Sequence, residues 1–159
     1  MAKIKKTNAM RILDGENIDY EMLTYESKDG KIDGISVAQK IGKELAQVFK
    51  TLVAQGNSKS IYVFLIPVAD ELDLKKAAVA AGEKKVEMVP VKEILQLTGY
   101  IRGGCSPIGM KKDYKTFIHF TVSDVDKIVV SAGKIGTQIE LNASDLAKII
   151  DAEFADLTK

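Results

Sequence analysis

Three stretches of the 159-residue sequence carry side chains or backbone able to do chemistry. In the first, Gln47-Val-Phe-Lys-Thr-Leu-Val-Ala-Gln55, Lys50 interrupts an otherwise apolar strand, with Val48 and Leu52 on its own face and Phe49 and Thr51 on the other. A charge in that position must be paired, snorkel to water or look into a cleft. In a cleft it would bind phosphate or polarise an ester carbonyl; at an edge it would be a solvated lysine. The second stretch, Gly99-Tyr-Ile-Arg-Gly-Gly-Cys-Ser-Pro-Ile-Gly109, places four glycines and a proline in one loop. Such loops bring backbone N–H groups close to a ligand, although this one matches neither common phosphate-binding pattern and a plain tight loop fits equally well. The third, Ser131-Ala-Gly-Lys-Ile-Gly-Thr-Gln-Ile-Glu-Leu141, reads by itself as a hairpin.

What is missing narrows the chemistry. Cys105 is the only cysteine and His119 the only histidine, so a disulfide within the chain and a multi-cysteine metal site are excluded, and a triad or dyad would have to be built on one imidazole. His119 lies in the strand-like run Thr116-Phe-Ile-His-Phe120, where a structural role is expected. Cys105 has no base near it in sequence, and a packed thiol is the simpler reading.

These residues must be positioned by a chain that is 46% apolar, 28% charged and without tryptophan, the composition of an ordinary globular protein. The length suits one core, and residues 1–159 are read as a single domain. The basic start, Met1 to Lys6, runs into Thr7, Asn8 and Ala9 rather than an apolar stretch, so no secretory signal is expected. No segment reaches the roughly 20 apolar residues of a membrane span, and a cytoplasmic location follows. Net charge is +1, but lysines gather in islands (Lys3, Lys5 and Lys6; Lys75 and Lys76; Lys84 and Lys85; Lys111, Lys112 and Lys115), either as solvated faces or as an RNA-binding surface.

The expected elements alternate between helix and strand. Thr7 caps a helix carrying Met10 and Leu13, and Tyr20 to Tyr25 alternates as a strand. Ser36 caps a second helix ending at Gly42. Two apolar strands, Gln47 to Gln55 and Ser60 to Pro67, form a hairpin at the core. Asp73 begins an alanine-rich helix that stops at Gly82. After a short strand at Val86 to Val89, Pro90 opens a helix burying Val91, Ile94 and Leu95. Strands over Thr116 to Val122, Lys127 to Ala132 and Thr137 to Leu141 precede a last helix, capped by Asn142, with Leu146, Ile149, Ile150 and Phe154 on one face.

In order and spacing, the three stretches resemble the YbaK/EbsC family, free-standing relatives of the editing domain inserted in bacterial prolyl-tRNA synthetases. Pro67-Val-Ala-Asp-Glu-Leu-Asp-Leu-Lys-Lys76, Lys84-Lys-Val-Glu-Met88, Ser106-Pro-Ile-Gly-Met-Lys-Lys112 and the segment from Asp145 to Asp156 extend the likeness over nearly the whole chain. The resemblance implies an α/β (α+β) fold in which a curved, barrel-like mixed sheet is surrounded by helices. It implies a trans-editing deacylase that clears Cys-tRNA(Pro), with Cys-tRNA(Cys) as a further substrate. The substrate's own thiol would attack the ester and leave as a thiolactone, which makes the enzyme a hydrolase or, by that route, a lyase. The family's essential lysine falls on Lys50. Its substrate-binding positions fall on Tyr25, Thr51, Gly103, Gly104, Ser106, Pro107, Ser131 and Gln138. No metal or cofactor is implied; the ligand is aminoacylated tRNA through its 3′-terminal adenosine, and a complex with prolyl-tRNA synthetase is left open. In this reading Lys50 holds the phosphate or ribose end, and glycine-loop N–H groups orient the aminoacyl group.

This chain departs from some relatives in carrying Gln138 instead of an aspartate, and Ile32 and Asp33 where they place a pocket phenylalanine. Three other readings remain open: an Ala-tRNA(Pro) deacylase using water, a non-enzymatic RNA- or nucleotide-binding module, and catalysis by the Cys105 thiol.

Overall fold

Local sequence signals account for most of the element boundaries seen in the computed structural model, which describes residues 6–159; Lys3 and Lys5 of the first basic island lie outside the described residues. Helix α1 (Asn8–Gly15) starts where the Thr7 hydroxyl accepts from Met10 N at 3.3 Å, satisfying one of the free N–H groups of the first turn. Strand β1 (Tyr20–Thr24) follows, then α2 (Gly34–Ile41), β2 (Phe49–Gly56), β3 (Ile61–Pro67), α3 (Leu74–Ala81), β4 (Val86–Met88) and α4 (Val91–Thr98). The chain finishes with β5 (Lys115–His119), a 3-10 turn (Phe120–Asp124), β6 (Lys127–Lys134), β7 (Thr137–Asn142), α5 (Ala143–Ile149) and β8 (Ala152–Ala155).

The expected curved mixed sheet is present as two sheets that meet without closing into a barrel. One is antiparallel, in the order β1-β7-β6; the other is mixed, in the order β4-β2-β3-β5-β8, with β3, β5 and β8 running parallel. Among the described residues one bridge, Val48 to Val129, joins them, and Val129 N donates to Gln47 O at 3.0 Å. β2 and β3 form the expected hairpin, with Lys50 opposite Ile66. On its other edge β2 pairs with β4 only from Ala54 to Gly56. Its middle, between that pairing and the Val48 bridge, therefore faces the junction of the sheets.

Apolar side chains fill two main layers. Met10 and Leu13 of α1 and Leu146 of α5 pack with Phe49, Leu65, Ile118, Ile128, Val130, Ile139 and Leu141 between the inner faces. On the outer side of the mixed sheet, Ala77 and Ala78 of α3 cover Phe64 and Phe117, whose rings stack at 5.5 Å. Burial at this density is what holds the strands of both sheets in register.

Four local expectations need correction. α2 is capped by Asp33, not Ser36: the Asp33 carboxylate accepts from Ser36 N at 3.1 Å and from the Ser36 hydroxyl at 2.7 Å, and a carboxylate is the stronger acceptor. In α4, Val91 and Leu95 are 52% and 53% exposed. The helix instead turns Thr98 and the half-buried Ile94 and Leu97 inward, an equally good i, i+3, i+4 stripe. Tyr114 fixes that rotation by donating its hydroxyl to Leu97 O at 2.6 Å. The strand predicted through Val122 stops at His119, where the 3-10 turn begins. The last helix ends at Ile149; Asp151 takes a left-handed φ of 49°, and Phe154 sits exposed on β8.

Candidate functional site

The junction of the sheets holds a cavity of about 350 Å³, with Lys50 in its wall. Val48 and the first residues of β2, 49–52, contribute one side, the start of α2 and the turn before it contribute Ile32, Asp33, Gly34 and Val37, the glycine loop gives Arg102, Gly103 and Cys105, and the antiparallel sheet gives Ser131 and Gln138. Lys50 is half-buried. Its ammonium donates to Val68 O at 3.4 Å, a long bond, and makes no carboxylate ion pair among the described residues. A cation without an anionic partner at a cavity wall is free to receive one from a ligand.

Polar groups around it are similarly available. The Thr51 hydroxyl is buried with no hydrogen-bond partner among the described residues, a state that costs stability unless a ligand or water satisfies it. Gln138 is 7% exposed and lies directly across from Ser131 in the β6–β7 ladder, at the bulge between Ser131 and Lys134. The Ser131 hydroxyl accepts from Gly133 N at 3.2 Å, which leaves its own proton to donate. Among the described residues Asp33 is the one acidic group in the wall; its hydrogen bonds to Ser36 hold its carboxyl below the ordinary range, so it is ionised at neutral pH.

The glycine loop is held by internal hydrogen bonds. Thr98 accepts from Tyr100 N at 3.0 Å and donates to Ile94 O at 2.8 Å, while Tyr100 donates its hydroxyl to Ile108 O. Gly103 has a φ of 86°, and a Cβ there would meet Ile32 Cδ1 at 2.9 Å. Gly104 lies against the β6–β7 turn so closely that a Cβ would come within 2.9 Å of Lys134 Cα. Close approach, more than conformational freedom, is what requires glycine at Gly104.

Of the positions singled out in the sequence, Lys50, Thr51, Gly103, Ser131 and Gln138 come together on this cavity. The other four do not line it. Gly104 forms the packing contact just described, and its N–H donates to Ile101 O at 3.0 Å within the loop. Ser106 is fully buried and its hydroxyl accepts from Ile108 N at 3.2 Å, an internal turn. Pro107 faces a second cavity of about 740 Å³, which also touches Tyr114 and Ile150. Tyr25 is off the cavity: its N–H donates to Gly136 O at 3.0 Å, and its hydroxyl is buried without a partner among the described residues. Arg102 escaped sequence reasoning as a wall residue; the signal was its place beside Gly103 and Gly104, where backbone without side chains leaves an arginine unshielded.

The rival catalytic groups are accounted for. Burial pushes the Cys105 thiol up to about 11, so it is neutral at ordinary pH, and its sulfur contacts Thr98 Oγ1 at 4.0 Å. His119 is off the cavity and buried. Its Nδ1 accepts from Leu157 N at 3.0 Å, and Nε2 lies 3.3 Å from the Thr158 hydroxyl, so the ring ties down the segment that follows β8. Among the described residues no group of three or more His, Cys, Asp and Glu is arranged to hold a metal ion, and no helix is long and apolar enough to cross a membrane. Several island lysines form surface pairs, Lys76 with Asp156, Lys85 with Glu87 and Lys115 with Glu153, which weakens them as a continuous basic face. The cavity can thus bind an anion, polarise a carbonyl and orient an ester, and among the described residues it holds no nucleophile hydrogen-bonded to a base.

Comparison with known proteins points the same way. The aminoacyl-tRNA editing domain matches residues 33–149. A protein of Enterococcus faecalis (strain ATCC 700802 / V583), provisionally named Cys-tRNA(Pro)/Cys-tRNA(Cys) deacylase EbsC, is 44% identical across 99% of this chain and 98% of its own. A proline–tRNA ligase of Burkholderia multivorans (strain ATCC 17616 / 249) is 24% identical over 87% of this chain and 25% of the ligase. A crystal structure described as a candidate trans-editing enzyme for prolyl tRNA synthetase superposes with a TM-score of 0.82, at 22% identity, over 98% of this chain and 99% of that one; at this identity it speaks for the fold.

Proposed function

The chain belongs to the aminoacyl-tRNA editing domain family, and from that premise we propose that it is a trans-editing deacylase acting on Cys-tRNA(Pro), with Cys-tRNA(Cys) as a further substrate. One observation carries this reading: a small cavity presents an ammonium with no carboxylate partner, and none of its hydroxyls or its thiol is hydrogen-bonded to a base, among the described residues. Such a site suits a reaction in which the substrate brings the nucleophile.

The step balances without a protein nucleophile. The sulfur of the esterified cysteine bonds to its own carbonyl carbon, the bond from that carbon to the ribose oxygen breaks, and the thiol proton ends on the ribose hydroxyl. The products are a thiolactone, open to later hydrolysis by water, and free tRNA. In this proposal Lys50 holds the phosphate or ribose end of the terminal adenosine and balances charge developing there. The Thr51 hydroxyl and the Gln138 amide orient the ester, Ser131 donates its free proton to a substrate oxygen, and the backbone around Gly103 closes the acyl end. Gly104, Ser106, Pro107 and Tyr25 act by shaping the loops that carry these groups. Selectivity against serine and proline then comes from reactivity as well as fit, since pocket fit alone discriminates weakly between near-isosteres.

The same reading treats the whole chain as one editing unit, working in the cytoplasm where tRNA is charged. A partnership with prolyl-tRNA synthetase fits it, because the ligase of Burkholderia multivorans carries a similar segment within its own chain. The decisive experiment presents tRNA(Pro) charged with cysteine, alanine or serine to the purified protein in parallel. Cys-tRNA(Pro) should be cleared fastest, with thiolactone as the first product. Clearance of alanine with cysteine retained would replace the proposal by a water-using Ala-tRNA(Pro) deacylase. No clearance above the spontaneous rate would leave a binding module.

A further inference from the structure

One lysine outside the cavity organises a whole section of its wall. The turn between β1 and α2, residues 25–33, has no regular structure and ends in Ile32 and Asp33, both on the cavity. Lys40 lies two turns along α2, and its ammonium reaches back to this segment. It donates to Glu26 O at 2.6 Å, to Asp29 Oδ1 at 2.8 Å and to Lys31 O at 2.9 Å. These three acceptors match the three N–H groups of an ammonium. Its nitrogen also stands 5.9 Å from the centre of the Tyr25 ring, within cation–π range, and its side chain is only 21% exposed. The segment's own bonds are short-range turns: Gly30 N to Ser27 O at 3.0 Å, Ile32 N to Gly30 O at 3.1 Å and Lys31 N to Asp29 Oδ1 at 3.0 Å. None of these ties residues 26–31 to α2; Lys40 does, while Asp33 at the end of the segment is held by its own capping bonds to Ser36.

The wall made by this segment is in direct contact with the glycine loop, because Ile32 Cδ1 occupies the space next to Gly103. Displacing residues 26–31 would move Ile32 off Gly103 and open the cavity between them. We propose that Lys40 is a positioning residue for the acyl end of the site: by gripping residues 26–31 against α2 it sets Ile32 against Gly103 in the cavity wall. This rests on the deacylase reading above. The effect is on binding and acyl-group selection, while the groups placed at the ester stay where they are.

The test compares Lys40→Met, which keeps the length and removes the donors, with Lys40→Arg, which keeps the charge and the Asp29 pair. Lys40→Met should raise KM for Cys-tRNA(Pro) roughly tenfold, as expected for losing charge-assisted bonds, with kcat within about twofold and weaker discrimination against Ala-tRNA(Pro). Trypsin should then cut native protein after Lys28 or Lys31. Lys40→Arg should recover most of the KM. Asp29→Asn, which leaves α2 untouched, should give a smaller rise in KM and serves if Lys40→Met does not fold. Wild-type KM in both Lys40→Met and Asp29→Asn would overturn the proposal, as would kcat and KM worsening together in step with a lowered melting temperature. If the wild-type protein deacylates nothing, the deacylase reading fails first and takes this proposal with it; an active wild type with an indifferent Lys40 defeats the proposal alone.

Discussion

Replacing Lys50 by methionine separates a functional lysine from one that merely snorkels. Methionine keeps the unbranched stem that lies opposite Ile66, so packing is largely retained, and what is lost is the ammonium. Its one hydrogen bond among the described residues is the 3.4 Å contact to Val68 O, near the outer limit of a hydrogen bond, so its net contribution is at the low end, about 0.5 kcal/mol. With about 1 kcal/mol allowed in total, the melting temperature of a chain this size should move by roughly 2–4 °C. Catalysis should suffer far more. Loss of a charged group aimed at developing charge costs about 10²–10³ in rate, or roughly 2.7–4 kcal/mol. Single-turnover deacylation of labelled Cys-tRNA(Pro) and a thermal melt on the same preparation measure both quantities. A variant within threefold of wild type would make Lys50 a snorkelling residue. A melting temperature lowered by more than about 10 °C, several times the estimate, would make it structural. Lys50→Arg should be only a partial substitute, since a planar fork does not replace a compact ammonium.

Other expectations follow from the same geometry. Cys105→Ser should keep deacylation within about threefold, and the wild-type thiol, pushed up to about 11, should alkylate slowly at neutral pH; collapse of activity would restore the thiol as a catalyst. Gly104→Ala brings a Cβ within 2.9 Å of Lys134 Cα and 3.0 Å of Ile135 N, so it should cost about 1–3 kcal/mol of stability, read in a denaturant melt, together with a fall in kcat/KM. For His119, burial lowers the folded-state pKa below the ordinary 6.5, while Asp156 and Asp70 oppose that shift and Lys76 adds to it. The unfolded chain therefore takes up a proton first, and stability should fall as pH drops below about 6.5, by at most roughly 1.4 kcal/mol per pH unit. His119→Gln should flatten that acid slope in melts compared at pH 5 and pH 7; an unchanged slope would contradict the assignment.

Boundaries set by local chemistry were legible in the sequence. Thr7, Asp73 and Asn142 cap helices as their positions suggest, and the continuous apolar runs on either side of Gly56 became the β2–β3 hairpin. Where the sequence offered two equivalent choices, tertiary contacts decided. α4 has apolar residues on two stripes, and Tyr114 selects one; α5 and β8 share a continuous apolar pattern, and the left-handed Asp151 divides them. At the site, Lys50 stood out as a charge in an apolar strand, and the glycine loop as a close-approach element. Arg102 and the grip of Lys40 on residues 26–31 did not, because both depend on segments that adjoin only after folding. The expectation that the loop's amides face a ligand was too general, since the Gly104 N–H already belongs to Ile101.

The wall of the cavity draws on residues 32 to 138, and the ladder that fixes its far side joins Tyr20 to Leu141. Pairings across so much chain form late, after local hairpins and helices. During refolding from denaturant, recovery of deacylation should therefore track the slowest kinetic phase, lagging behind far-ultraviolet circular dichroism. Catalytic activity in this protein then serves as a stopwatch for the closing of its longest-range strand pair.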